Sequence, residues 1–389
     1  MPSKATSTSS IVYPPEAGDT IIKCTMPDGG FWSFGVSQRD LEGTGLYHLI
    51  RLERLKRPST VRSSGRDVHH QPRTVLLDVD VDAGELRVLL DALLHGQRSE
   101  LPVDLTIWRS AVLARLSPKY GSPVLTARAL EHLCHTFCCN PDAVYQPPLA
   151  DFTIAVSVVE AALALEGVKS WLLPGALAYC AQFPLHVIQK TASLLQCVDP
   201  PTQRLYSLPP DYHNICMRMQ GSLENARDYR RATNFSAPSN PDCTAPALCR
   251  TTLDTASDLT AKDPTLLGAT TRAAPKLERY LHDLCDACTL SYELADRVAL
   301  YCIWDGLLEL FDDGRTWTTI RAEARCYIQG LLVDGSEGLG GKRKAGLADR
   351  GEACKRAKVD DSDTDTDEDA DSSFSHLLDR VMHYMRPSG

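Results

Sequence analysis

Hydrophobic and polar residues form short, strand-like runs near the start of the chain. The runs Thr20–Thr25 and Phe31–Phe34 flank the sequence Pro-Asp-Gly-Gly at 27–30, which is typical of a hairpin turn. A helix-like stretch follows from Leu41 to Ile50, and residues 74–79 form the next strand-like run. The pattern therefore predicts a β-hairpin, a helix and a third strand.

The hydrophobic spacing becomes that of helices from Ala83 onward. Leucines recur three and four residues apart, and further apolar stripes begin at Trp108 and after Pro123, which occupies a first-turn position that helices tolerate. A proline-containing linker at 141–148 ends this part of the chain. We therefore expect residues 18–140 to fold as an α+β domain, in which a small sheet packs with a helical cluster.

The pattern after the linker is helical. Asp151 can cap a helix that carries an apolar stripe. We expect the following helices to break at Pro174 and Pro184, and helical spacing returns from about Lys276 to Leu332. Residues 150–332 are therefore predicted to form an all-α domain.

Both ends of the sequence are polar. Residues 1–17 are rich in Ser and Thr and lack the apolar core of a secretory signal, so we expect a disordered leader. Residues 333–371 contain few hydrophobic residues and many charges, which predicts a disordered tail.

A short amphipathic helix is predicted at 372–386. Its apolar stripe consists of Phe374, Leu377, Leu378, Val381, Met382 and Met385. A helix of this length is marginal alone in water, so it must dock on another surface. Two alternatives remain, namely packing on its own domain or binding in the groove of a partner protein.

Length and charge narrow the class of protein. A chain of 389 residues is long enough for two or three folded units. The formal net charge of −9 disfavours a surface built throughout for nucleic acid. The longest apolar run, Ile154–Leu165, is too short to span a bilayer. We expect a soluble intracellular protein with neither a membrane nor a nucleic-acid partner.

Two basic clusters in the tail have the spacing of a bipartite nuclear import signal. They consist of Lys342, Arg343, Lys344, Lys355, Arg356 and Lys358. On a flexible segment, each cluster can dock in an acidic groove of an import receptor. This predicts nuclear or nucleo-cytoplasmic localisation with an import receptor as partner. The alternatives are a solvated charged linker and a loose nucleic-acid contact.

An acidic stretch at 360–371 follows the basic clusters. Ser362, Thr364 and Thr366 each have an acidic residue three positions later, the pattern for an acid-directed kinase. Each phosphate would add about −1.5 to −2 charges and thereby strengthen or mask the import signal. The alternative is that the acidic residues serve solubility alone.

Cysteine usage leaves two interpretations, free thiols or a metal site. Fourteen cysteines in a long chain without a secretory signal favour free thiols or metal ligands over a disulfide framework. The best candidates for metal ligands are Cys243, Cys249, Cys285 and Cys288. The C-x-x-C pair can hold one edge of a tetrahedral zinc ion, and an all-thiolate site would be structural because no coordination position stays open. The alternative is that these thiols are simply buried.

Signatures of common catalytic sites are missing from the sequence. It contains no G-x-S-x-G, P-loop or dinucleotide-binding motif. A second group of thiols, Cys134, Cys138 and Cys139 with His135, is interpreted as core packing. We therefore predict no catalytic residues and no enzymatic activity, with an unrecognised enzyme as an alternative.

The run Ser-Pro-Lys-Tyr-Gly-Ser-Pro-Val-Leu at 117–125 is similar to the A-x-K-Y-x-x-x-x-L helix pair of BTB/POZ domains. The predicted hairpin, the helix at 41–50 and the strand at 75–79 fit the same fold. Three later segments, at 166–177, 284–288 and 297–317, are similar in order to segments of fungal BTB proteins. The chain thus resembles the fungal BTB/POZ domain-containing family over roughly residues 18–320.

This resemblance implies a protein–protein interaction module or scaffold. Together with the tail, it predicts a role in a nuclear regulatory complex, with protein partners that include a second copy bound through the BTB-like domain. The alternative within the same family is a substrate adaptor of a cullin-type ubiquitin ligase.

Overall fold

The computed structural model describes residues 20–25, 31–56, 73–76, 81–96, 106–138, 151–189, 193–194, 205–235, 240–270, 273–309, 311 and 314–336. Most of these residues lie in helices and a minority in two small sheets. The predicted α+β class is therefore confirmed in its coarse form, with helices predominating. Within the described ranges, no helix combines the length and the apolar character that a membrane crossing requires.

The first sheet has three strands in the order β2-β1-β3. These strands are β1 (Thr20–Thr25), β2 (Phe31–Val36) and β3 (Arg73–Leu76). Strands β1 and β2 are antiparallel with Ile22 opposite Phe34, whereas β3 runs parallel to β1 and places Val75 beside Ile22. The predicted hairpin and third strand are confirmed, and the predicted turn at 27–30 lies outside the described residues.

Helices make up most of the remaining structure. In chain order they are α1 (Gly45–Lys56), α2 (Ala83–Gly96), α3 (Ile107–Tyr120), α4 (Pro123–Phe137), α5 (Phe152–Ala164), α6 (Lys169–Cys180), α7 (Leu185–Ile188), α8 (Pro210–Phe235), α9 (Pro246–Lys262), α10 (Pro275–Leu281), α11 (Asp286–Glu309) and α12 (Trp317–Ser336). Two-residue strands β4 (Ser193–Leu194) and β5 (Leu205–Tyr206) pair between α7 and α8. The hydrophobic spacing does not predict α9.

The chain divides into two compact units. In the described part of the chain, unit 1 contains residues 20–138, 151–221 and 308–336, and unit 2 contains Ser222–Leu307. This division differs from the predicted boundary at 140–150. Helix α5 packs on α3 and α6, and α12 packs on α4 and α6, so these later helices join the same unit as the N-terminal sheet.

The predicted helix from Leu41 to Ile50 is wrong in its first part. A single 3₁₀ turn ends at Leu41, and Gly43 adopts a φ of 84°, which interrupts the helical path. Helix α1 then begins at Gly45, whose N–H donates to the carbonyl of Gly121 at 3.0 Å. A Cβ atom at Gly45 would lie 2.4 Å from the carbonyl oxygen of Lys119, so this close approach requires glycine.

The predicted break at Pro174 is also wrong, because α6 continues through this residue. A proline inside a helix has no N–H to donate to the carbonyl four residues earlier, here that of Ser170. The guanidinium of Arg315 donates to that carbonyl oxygen at 2.8 Å, which satisfies the acceptor. Pro184, by contrast, precedes the first residue of α7 and separates it from α6.

A buried polar network in unit 1 connects β5 with α2 and α3. The hydroxyl of Tyr206 donates to Glu85 Oε1 at 2.9 Å and accepts from Trp108 Nε1 at 2.9 Å. Arg115 forms an ion pair with the same Glu85 carboxylate. Burial raises the pKa of Tyr206, so its hydroxyl keeps the proton that it donates.

Unit 2 has its own hydrophobic core. Its buried members are Phe235, Cys249, Leu253, Ala256, Leu266, Leu267, Leu277, Leu281, Leu284 and Cys288, which come from α8 to α11 and their connections. Helix α8 also carries Arg230, which forms a two-point ion pair with Asp296 of α11. Its Nε–Oδ1 distance is 2.6 Å and its Nη2–Oδ2 distance is 2.7 Å. The structure therefore joins α8 to α11 through two fully buried charges.

Candidate metal centre

Four cysteine side chains of unit 2 converge on one point. The Sγ atoms of Cys243, Cys249, Cys285 and Cys288 all lie within 4.8 Å of one another. These are the four residues predicted as ligands from the sequence, and their predicted grouping is confirmed. In the described part of the chain, no other group of three or more His, Cys, Asp or Glu side chains is placed to hold a metal ion.

Two helix starts and two loops supply the thiols. Cys243 lies in the turn that precedes α9, and Cys249 lies in the first turn of α9. Cys285 directly precedes α11, and Cys288 lies in its first turn. The C-x-x-C spacing lets both thiols of the second pair turn toward one ion, while the fold brings the first pair to the same point.

The sulfur–sulfur distance fits tetrahedral coordination of a zinc ion. Sulfur–zinc bonds of about 2.3 Å place the sulfurs of a tetrahedral site roughly 3.8 Å apart. The Sγ atoms of Cys243 and Cys285 are separated by 3.7 Å, which is one edge of such a tetrahedron. Four thiolates would fill the coordination sphere, so the arrangement can hold an ion but leaves no position for a substrate.

Backbone N–H groups stabilise negative charge at the cluster. The N–H of Cys285 donates to Cys249 Sγ at 3.4 Å. The N–H groups of Cys288 and Thr244 donate to the Cys285 thiol and lower its pKa to about 6. The positive ends of the α9 and α11 dipoles point to the same region, which also favours thiolates.

The four thiols differ in their exposure. Cys249 and Cys288 are 2% and 5% exposed and belong to the hydrophobic core of unit 2. Burial raises the pKa of Cys288 to about 12, so a bound cation would have to displace its proton. Cys243 and Cys285 are partly exposed. The cluster therefore lies at the edge of the core, where Cys249 and Cys288 are buried and Cys243 and Cys285 are partly exposed.

Asn240 fixes the loop that carries Cys243. Its side-chain amide donates to the carbonyl oxygen of Ala287 at 3.1 Å and to Ser291 Oγ at 2.7 Å. Its side-chain oxygen accepts from the N–H of Asp242 at 2.9 Å. Because these bonds connect the loop to α11, they hold the two halves of the cluster in register.

The second group of thiols is not assembled in the same way. Cys138 is buried and donates to the carbonyl oxygen of Trp171 at 3.3 Å, which agrees with packing in the core. His135 is exposed, and Cys139 lies outside the described residues. Cys326 is disulfide-bonded.

The structure places a serine–histidine contact between α3 and α4 that the sequence patterns do not predict. Ser110 Oγ lies 2.8 Å from His132 Nδ1, and burial lowers the pKa of His132. The Ser110 side chain also donates to the carbonyl of Thr106 at 3.2 Å, and the residue has 0% exposure. A buried hydroxyl cannot reach a substrate, so we interpret the contact as packing.

The remaining predicted site residues lie outside the described ranges. They are the import-signal residues Lys342, Arg343, Lys344, Lys355, Arg356 and Lys358, the phosphorylation candidates Ser362, Thr364 and Thr366, and the apolar stripe of Phe374, Leu377, Leu378, Val381, Met382 and Met385.

Comparisons with known proteins add no family to these observations. No protein-family model, curated protein or solved structure matches this chain.

Proposed function

We propose that this chain is a non-enzymatic protein-interaction scaffold whose unit 2 is stabilised by a structural zinc ion. The observation that carries the metal assignment is the convergence of four thiols within 4.8 Å. Zinc is the ion of choice because a tetrahedral all-cysteine site is typical of structural zinc.

The size of unit 2 supports a structural role for the metal. Its main segment, Ser222–Leu307, is close to the length at which a hydrophobic core alone gives little stability. Two of the thiols belong to that core. A zinc ion would join α9 to α11 and contribute its binding free energy to folding.

Metal analysis of the purified full chain tests this assignment. We expect zinc and protein in equal amounts, and loss of zinc in Cys249→Ser and Cys288→Ser. Cys302→Ser is the matched control, because Cys302 is a free and exposed thiol in the same unit. A wild-type protein without zinc, or a Cys249→Ser protein that keeps it, would rule out the site.

The interaction role draws on the N-terminal sheet and helices. A small sheet in the same compact unit as helices α1 to α4 is the arrangement expected of a BTB/POZ-like domain, whose surfaces bind proteins rather than substrates. The basic clusters and the apolar stripe of the tail favour a nuclear complex. We propose a BTB/POZ-like scaffold that acts there, with homodimerisation through this domain.

Affinity purification from cells tests the interaction role. We compare the full chain with a chain that ends at Val333, which lacks the import signal and the apolar stripe. Nuclear partners should be recovered with the full chain and lost with the shorter one. Recovery of a cullin would favour the ubiquitin-ligase adaptor instead, and an identical set of partners would contradict the role of the tail.

A further inference from the structure

The metal centre is asymmetric with respect to solvent. Cys249 and Cys288 lie on helices and are almost fully buried, whereas Cys243 and Cys285 lie in loops and are partly exposed. The two exposed thiols are also neighbours, with their Sγ atoms 3.7 Å apart. A solute can therefore reach one edge of the tetrahedron while the opposite edge is shielded.

We propose that this centre is a redox switch, in which a hydroperoxide oxidises Cys243 and Cys285 to a disulfide and thereby releases the zinc ion. This inference rests on the proposed zinc site and adds a regulatory role to it. The structural role of the ion makes unit 2 sensitive to the switch, because zinc released on oxidation no longer joins α9 to α11.

The reaction is balanced with a hydroperoxide as oxidant. One exposed thiolate attacks the peroxide, so that the O–O bond breaks, a sulfenic acid forms and one water or alcohol leaves after protonation. The other exposed thiolate then attacks the sulfenic sulfur, and the S–S bond forms as a second water leaves. The two sulfurs lose two electrons to the peroxide, which takes up two protons.

The geometry favours a disulfide between Cys243 and Cys285 over disulfides that involve Cys249 or Cys288. A disulfide needs an S–S distance of about 2.05 Å, so the two Sγ atoms must approach by less than about 2 Å. Cys243 lies in the loop before α9, so its backbone can shift toward Cys285 without breaking helical hydrogen bonds. The carbonyl oxygen of Cys285 accepts the N–H of Thr289 at 2.9 Å, which holds this thiol at the start of α11. Cys249 and Cys288 are held in the first turns of α9 and α11 and packed in the core.

Peroxide treatment of the zinc-loaded full chain tests the switch. Zinc content is measured first, then release is followed with a metallochromic dye during exposure to hydrogen peroxide, and disulfides are mapped by mass spectrometry. We expect released zinc and the Cys243–Cys285 disulfide in equal amounts, and recovery of the zinc-bound form after reduction with added zinc.

A histidine substitution separates coordination from oxidation. Cys243→His keeps a nitrogen ligand that zinc accepts but cannot form a disulfide. We expect this variant to retain zinc and lose most of its peroxide-dependent release, and Cys302→Ser to behave like the wild type. If Cys243→His binds no zinc, the disulfide map of the wild type decides the question.

The experiment distinguishes failure of the zinc assignment from failure of the redox switch. A wild-type chain without zinc before treatment would end both the metal assignment and the switch. Zinc that is retained under peroxide, or released with a Cys285–Cys288 disulfide instead, would overturn the switch and leave the structural zinc in place. Release from Cys243→His at the wild-type rate would overturn it as well.

Discussion

At the scale of single residues, unit 2 depends on buried polar groups as well as on its cysteines. Asp296 accepts hydrogen bonds from Arg230 and from the side-chain amide of Asn234, and all three residues are almost fully buried. Arg230 also donates to the carbonyl oxygen of Gly268 at 2.6 Å. These contacts offset part of the cost of removing two charges from water.

Asp296→Asn should destabilise the protein by about 3–5 kcal/mol, because it leaves the Arg230 charge buried without its counterion. Urea unfolding followed by circular dichroism measures the change. Arg250→Ala is the control, since the Arg250–Asp254 pair lies on the surface of α9 and its loss should cost at most about 0.5 kcal/mol. Equal effects of the two substitutions would contradict this account.

Tyr206→Phe should destabilise unit 1 by about 1–3 kcal/mol, because it removes one hydrogen bond of the buried Glu85 and the acceptor of Trp108 Nε1. The neighbouring Leu205 is 62% exposed, so Leu205→Ala should change stability by no more than about 0.5 kcal/mol. Thermal unfolding compares the two variants. A neutral Tyr206→Phe would show that the network does not stabilise the fold.

At the scale of elements, α6 shows how packing overrides local preference. It contains Pro174 and Gly175, two residues that weaken helices, yet every residue from Trp171 to Cys180 is buried. A Cβ atom at Gly175 would lie 1.9 Å from the carbonyl oxygen of Phe137, so glycine allows α6 to contact the end of α4. Burial of all but the first two residues of the helix compensates for its poor propensity.

Gly175→Ala and Gly330→Ala should have effects of opposite sign. The first forces the backbones of α6 and α4 apart and should cost at least about 1–3 kcal/mol. The second lies in α12, where a Cβ atom would meet nothing within 4 Å, and should stabilise the helix by about 0.5–1 kcal/mol. Chemical unfolding provides the measurement, and a stable Gly175→Ala protein would refute the close approach.

At the scale of the whole molecule, the chain order and the compact units do not coincide. Unit 1 takes its helices from three stretches of the chain, including α12 near residue 317, whereas the core of unit 2 comes from one continuous stretch. The candidate metal centre lies entirely in unit 2. The two units should therefore respond differently to loss of the metal.

Removal of zinc with a chelator should accelerate amide hydrogen exchange in α9 and α11 and leave α5 and α6 unchanged. The reason is that the ion joins the first turns of α9 and α11, while α5 and α6 pack in unit 1. Hydrogen–deuterium exchange with mass spectrometry resolves these segments. Unchanged exchange in α9 and α11 would contradict a structural role for the metal.

The sequence by itself determined the hairpin, most of the helices and the identity of the four thiols. Each of these rests on a signal within a short window: strand-like runs about a turn, apolar residues at helical spacing, or a C-x-x-C motif. The residue type marks the four cysteines as ligand candidates because thiolates bind zinc, but no local pattern predicts which pairs come together. Cys249 and Cys285 are 36 positions apart, and the residues between them carry no local signal for their contact.

Only the tertiary structure decided the long-range pairs and the unit boundaries. Arg230 and Asp296 are 66 positions apart, and Arg315 and Ser170 are 145 apart, so no periodicity connects them. A local rule predicts a helix break at Pro174 because proline leaves the carbonyl of Ser170 without its helical donor. The rule takes no account of the distant guanidinium of Arg315, which donates to that carbonyl. Such contacts depend on which elements pack together, and packing is a property of the whole chain.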